Sequence, residues 1–277
     1  MNYRHIFHAG NFADVHKHVI FLALIDRLLR KPKPLLLLDT HAGRGTYDLR
    51  SEDATRGSES RNGIRRLIAT TSISNPDVQR YLDIIAPDLR AQQYLGSPLL
   101  AAQTLRDEDR LVCIESQIEE AQELQGSLRA RPNTSIVHGD GYAALKSYLP
   151  PKEARGLVLI DPPYESDREF STLTQALLAA THRWATGVYA LWYPIKASGE
   201  SHRFKDSLRK SGLKKILQLE LFVHPSDSRV GLNGSGMLIV NAPWKLDDEM
   251  RSAQADLHDA LADRNADQPV VNWLVGE

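Results

Sequence analysis

The sequence predicts an α/β protein, a doubly wound, mostly parallel sheet of Rossmann-like type with an antiparallel edge and a small helical insertion. Two observations carry that expectation. Short apolar runs of strand length alternate with amphipathic stretches of helical length over most of the chain, the rhythm of strand–helix–strand crossovers. Four of those runs also end, one after another, on an acid, in a fold class whose ligands bind beyond the carboxyl ends of the strands.

From Asn11 to Arg30 the apolar positions Val15, Val19, Leu22, Ile25 and Leu29 recur at three- and four-residue steps. A helix is expected there, capped by Asn11 and stopped by Pro32 and Pro34. The runs LLLLDT (35–40), RLVCIE (110–115), TSIVHGD (134–140), GLVLID (156–161) and GVYALWY (187–193) read as strands, with helices such as Gln117 to Arg129 and Phe170 to His182 between the later ones. The tail differs. KKILQLELFV and GMLIVNAPW are β runs joined by a polar loop with no helix, so they should pair antiparallel at one edge of the sheet. Between Tyr47 and Gln93 no strand is evident, and helices near Ser58 to Ile68 and Asn75 to Ile85 suggest an insertion, because long structureless loops inside compact domains are uncommon. The expected organisation is a Rossmann-like domain, residues 1–46 and 96–277, interrupted by a helical subdomain, residues 47–95.

Composition narrows the function. The 277 residues are 42% hydrophobic with a net charge of −1, which suits a globular protein and argues against bulk electrostatic binding of nucleic acid. No apolar run approaches the roughly eighteen residues needed to span a bilayer, and MNYRHIFHAG lacks a signal peptide's apolar centre, so a cytoplasmic protein with no membrane association is expected. The single cysteine, Cys113, excludes a disulfide framework and a cysteine zinc site. Charge is unevenly spread: residues 196–215 hold seven Lys/Arg against two acids, and 241–270 seven acids against three Lys/Arg. One face basic and another acidic would give that pattern.

At the strand ends the chemistry concentrates. The first strand runs into DTHAGRG, 39–45, an acid followed by Gly43 and Gly45, which let a backbone approach a ligand closely. The second ends on Glu115, placed to accept from a ribose diol. Asp140-Gly141 ends the third and Asp161-Pro162-Pro163-Tyr164 the fourth. No phosphate-cradling Lys/Ser pair follows the glycines, and their spacing departs from the dinucleotide fingerprint. A ligand with adenine and ribose but no pyrophosphate fits: S-adenosylmethionine. The five histidines His5, His8, His16, His18 and His41 do not suggest a metal, since His16 and His18 are two apart and point in different directions on a helix.

Asp161-Pro162-Pro163-Tyr164 resembles the catalytic loop of S-adenosylmethionine-dependent methyltransferases acting on adenine N6. Two prolines in succession remove two backbone donors and fix φ twice, and so hold an acid, a carbonyl and a ring in place. In such a loop the Asp161 carboxylate and the Pro162 carbonyl accept from the exocyclic amine, drawing its lone pair out of conjugation, while the Tyr164 ring stacks on the extruded base. The runs NYRHIFHAGNFADVHKH, DTHAGRG, GSP at 96–98, RGLVLIDPPYE, ATGVYALWYP, KKILQLEL, GSGM and NAPWKL together resemble the RlmJ family, bacterial 23S ribosomal RNA adenine-N6 methyltransferases, along essentially the whole chain. NAPW stands where the family usually has NPPW, and His16 replaces a more usual apolar residue.

The resemblance implies the seven-stranded S-adenosylmethionine-dependent methyltransferase fold, with a helical subdomain after the first strand. It implies cofactor contacts at His18, His41, Ser97, Glu115, Asp140, Gly141 and Asp161, catalysis at Asp161, Pro162 and Tyr164, and substrate handling at Tyr3, His5 and Lys17. It implies a monomer that modifies one adenine of 23S ribosomal RNA during ribosome biogenesis, presented by a hairpin of protein-free or early-assembly RNA, since specific RNA recognition favours splayed single-stranded bases. Phosphate contacts are expected from residues 196–215 and from Arg50, Arg56, Arg61, Arg65 and Arg66. A DNA adenine-N6 methyltransferase would use the same loop, and a non-enzymatic nucleic-acid-binding or DNA-uptake protein would not need Asp161.

Overall fold

The computed structural model describes residues 7–51 and 59–276. Helix α1 (Phe12–Leu29) precedes β1 (Leu36–Asp39), and an antiparallel ribbon of β2 (Thr46–Asp48) and β3 (Gln93–Leu95) brackets α2 (Ile64–Ala69) and α3 (Pro76–Arg90). There follow α4 (Ser97–Thr104), β4 (Arg110–Glu115), α5 (Ile118–Leu128), β5 (Thr134–His138), α6 (Gly141–Tyr148), β6 (Gly156–Ile160), α7 (Glu169–Arg183), β7 (Val188–Ile195) and α8 (Glu200–Arg209). The last elements are β8 (Ile216–Phe222), β9 (Gly234–Val240), α9 (Leu246–Leu261) and β10 (Val270–Val275).

The main sheet runs β10-β8-β9-β7-β6-β1-β4-β5. Strands β5, β4, β1, β6 and β7 are parallel, and β9, β8 and β10 pair antiparallel beyond β7. The seven strands legible in the sequence are all present, with an eighth, β10, paired to β8, so the antiparallel edge is wider than expected. That strand left a weak pattern because Leu274 is its one fully buried residue. Two strands also bracket the insertion where none was evident, each only three residues long.

Alternation across the sheet explains why the central strands read as unbroken apolar runs. Leu37, Leu111, Leu157 and Leu159 belong to the core under α1, whereas Leu36, Leu38, Val112 and Val158 belong to the core on the opposite face. Each such side chain contributes roughly 1.5–3 kcal/mol by leaving water. Helix α1 is buried on nearly all sides, including Asp14, His16, Lys17 and His18. The insertion covers part of it: Ile64, Val78, Tyr81, Ile85 and Tyr94 join the same core as the sheet. Arg27 ties three elements together, donating to Asp77 of α3 and to Glu249 of α9.

A helix enclosed in this way needs partners for its polar groups. His16 has them. Gln254 Nε2 donates to His16 Nε2 at 2.7 Å, and His16 Nδ1 lies 2.9 Å from Ser235 Oγ, which also accepts from Trp192 Nε1 at 2.9 Å. Burial pushes the His16 imidazole down to about 3, only partly offset by Gln254, so it is neutral in the fold. The unfolded chain binds that proton below about pH 6.5, so the stability contribution is full above that value and is lost as pH falls towards 3. Urea unfolding should show His16→Leu losing about 2 kcal/mol less than the unaltered protein between pH 7 and pH 5. Equal losses in the two proteins would remove His16 from the acid response.

Candidate active site

Strand β1 lies between β4 on one side and β6 on the other, so the winding of the sheet changes direction between β1 and β6. A crevice opens above such a point. The cavity there, of about 1030 Å³, is lined by the start of α1, the β1 and β4 ends, the Asp161 to Tyr164 loop and the β8–β9 loop. That exceeds the usual upper range for one small molecule.

Asp161 follows the last residue of β6, and its Oδ2 accepts from Lys17 Nζ at 2.5 Å. Lys17 also donates to Asp14 Oδ1 at 2.9 Å, and Asp14 Oδ2 accepts from the Gly10 amide. Burial alone would lower the Lys17 ammonium, but the Asp14 and Asp161 carboxylates outweigh it and hold it well above its ordinary range. No described residue donates to Asp161 Oδ1 or to the Pro162 carbonyl. Tyr164 adopts φ +52, which is unusual for a bulky residue and costs about 1–2 kcal/mol. Its hydroxyl donates to the Trp192 carbonyl at 2.6 Å, and its ring packs against Phe170 and edge-on to Trp192.

At the end of β1 Asp39 is fully buried, accepting from Ser97 Oγ at 2.6 Å and the His41 amide at 3.3 Å. Burial pushes its carboxyl up to about 7, with the Asp161 charge adding and the Ser97 bond opposing. Burial likewise pushes the His41 imidazole down to about 4. Glu115 accepts from the Gly43 amide and the Gln117 amide, both at 2.8 Å. Gly43 has φ +64, and a Cβ there would meet the Tyr47 hydroxyl at 2.4 Å. At Gly141 a Cβ would fall 2.1 Å from the Thr40 carbonyl, so only glycine lets α6 start against the end of β1. Asp140 caps α6 by accepting from the Tyr142 and Ala143 amides.

The structure gathers most of the residues expected from the sequence. His18, His41, Ser97, Glu115, Asp161, Pro162, Tyr164 and Lys17 line one cavity; Asp140 and Gly141 are not part of its lining, Gly141 packing against Thr40 and His41 and Asp140 capping α6. Tyr3, His5 and Arg56 lie outside the described residues. Lys17, expected beside the substrate, is bound to Asp161, and His18 is fixed by Tyr94 at 2.9 Å. Two expected phosphate contacts are corrected. Lys205 is buried against Glu220 at 2.6 Å, and Arg66 spends its guanidinium on the Leu261 and Ala262 carbonyls. Asp14 and Trp192 carried no assignment, although the three-residue step from Asp14 to Lys17 is that of an intrahelical pair. Asp39 was legible only as an acid at a strand end.

The cavity fits S-adenosylmethionine. Glu115 supplies acceptors for a diol, His18, His41 and Ser97 add polar groups to the wall, and the acids Glu115 and Asp161 line the space with negative charge for a ligand that bears positive charge. Doubly wound sheet, acidic strand ends and an Asp-Pro-Pro-Tyr loop define an S-adenosylmethionine-dependent methyltransferase. The family model described as ribosomal RNA large subunit methyltransferase D, RlmJ, matches residues 32–275. An Escherichia coli K12 protein named ribosomal RNA large subunit methyltransferase J is 38% identical, and a Haemophilus influenzae protein of the same name 36% identical, each over the full length of both chains. The crystal structure of protein LPL1258 from Legionella pneumophila is 30% identical and superposes with a TM-score of 0.88, covering 96% of this chain and 98% of that one. The chain belongs to the RlmJ family.

Removing the cation between two enclosed carboxylates should be costly. Lys17→Met is expected to destabilise the protein by about 3 kcal/mol, and adding Asp14→Leu to recover part of that. Denaturant unfolding of both variants measures it; a double variant as unstable as the single would show that Asp14 is not the partner left in need.

Proposed function

We propose that this chain transfers the methyl group of S-adenosylmethionine to N6 of one adenine in 23S ribosomal RNA, acting as a monomer in the cytoplasm on a hairpin of protein-free or early-assembly RNA. Both full-length relatives are named as large-subunit ribosomal RNA methyltransferases, and no helix among the described residues is long and apolar enough to cross a membrane. The observation that carries the reading is a pair of acceptors to which no described residue donates, Asp161 Oδ1 and the Pro162 carbonyl, beside an Asp161 Oδ2 already held by Lys17.

S-adenosylmethionine supplies an electrophilic methyl group on a sulfonium. The protein's part is positioning and charge. Accepting both amine hydrogens, Asp161 Oδ1 and the Pro162 carbonyl pull the N6 lone pair out of the purine ring and aim it. Because Lys17 and two prolines fix these acceptors beforehand, little reorganisation accompanies transfer. Tyr164, clamped by Trp192 and Phe170, offers the base a wall. The amine proton leaves after transfer, to Asp161 or to solvent. Glu115 and Gly43 orient the ribose, while His18 and Ser97, the latter held by buried Asp39, face the amino-acid portion.

Labelled S-adenosylmethionine with protein-free 23S ribosomal RNA tests the reading. Label should appear as N6-methyladenine, and Asp161→Ala should reduce the rate by about 10²–10³, the scale of losing one aimed hydrogen-bonding group. Label on duplex DNA instead of RNA would keep the chemistry and overturn the substrate.

A further inference from the structure

The cavity continues past the methyl-transfer loop. Strand order places β7, β9 and β8 successively beyond β6, so the end of β8 lies about 14 Å from that of β6 at about 4.8 Å per strand. That is further than one purine held at Asp161 reaches, yet Lys196, His224 and Val230 line the same cavity as Asp161.

This far wall is built. Lys196 is the first residue after β7; it is exposed and forms no ion pair with a described residue. His224 Nδ1 is held by Asp263 Oδ2 at 2.7 Å, which fixes the imidazole and leaves Nε2 without a partner among the described residues. Val230 is 68% exposed. Buried Asn233 organises the loop between them: its amide donates to the Ile195 carbonyl, its carbonyl accepts from the Val223 and His224 amides, and its side chain donates to the Ser226 and Ser228 carbonyls.

Extruding an adenine from a stacked strand uncovers a face of the neighbouring base, at a cost of a few kcal/mol. A flat ring held by a carboxylate, an exposed isopropyl group and an exposed ammonium are the parts that would replace that stack and meet a phosphate. We propose that Lys196, His224 and Val230 form a second nucleotide subsite for the residue adjacent to the target adenosine, with Lys196 on its phosphate and His224 and Val230 against its base. The subsite rests on the RNA methyltransferase reading and assigns these three residues to substrate selection.

The test uses the full-length protein, labelled S-adenosylmethionine and synthetic RNA hairpins carrying the methylated adenine, intact or with an abasic nucleotide on its 5′ or 3′ side. On the contacted side, base removal should raise the RNA KM of the unaltered protein about tenfold, the scale of one base stack, and add little further in His224→Ala. An equal penalty in both proteins, or none on either side, overturns the subsite. Lys196→Glu should reduce the slope of log affinity against log salt by about one unit; an unchanged slope removes Lys196 from it. Failure of the unaltered protein to methylate the intact hairpin or full-length RNA would strike the parent reading, and the subsite with it.

Discussion

Lys17 stands between Asp14 and Asp161, almost wholly out of water, and much of the molecule is arranged around that contact. Taking ions from water costs several kcal/mol each, recovered only when geometry is good and every charge has its partner. The contact therefore fixes the register of α1 over the end of β6. From that fixed helix His18 reaches Tyr94 of the insertion, His16 reaches Ser235 of β9, and Arg27 reaches both α3 and α9. A helix enclosed on all sides could slide or rotate if its contacts were only apolar. Its polar side chains each accept one position.

The same enclosure gathers acids where the sheet changes direction. Buried Asp39 lies near enough to Asp161 that the charge of Asp161 helps keep a proton on it. Ser97, donating to Asp39, makes the ionised form tolerable without removing the preference.

Legibility followed burial and period. The central strands and α1 were visible because long apolar runs and helical steps leave strong patterns, and the Asp-Pro-Pro-Tyr loop because two prolines after a strand have few other uses. The β2–β3 ribbon was too short to leave a period, and β10 too one-sided. Side-chain commitments were harder still: nothing in the basic segment distinguishes buried Lys205 from exposed Lys196, because Glu220, the partner of Lys205, arrives from a strand fifteen residues on. Arg66 likewise reads as a surface cation until the end of α9 comes to rest against it. The segment between β1 and β4 was legible as a break in the strand–helix rhythm, but not as a structure that shares its core with α1.

Strand β10 adds little to the core, yet β8, which it covers, is buried along its whole length. Uncovered, β8 would offer a row of unpaired amides and carbonyls beside apolar side chains, a template on which a second chain could pair. The replacement edge is a poorer template. Its register shifts between Trp273 and Val275, and the Trp273 indole is tied down to Asp247. A bulged, twisted edge resists extension. The last strand of the sheet thus protects against self-association, a service to solubility rendered by residues that catalysis never meets.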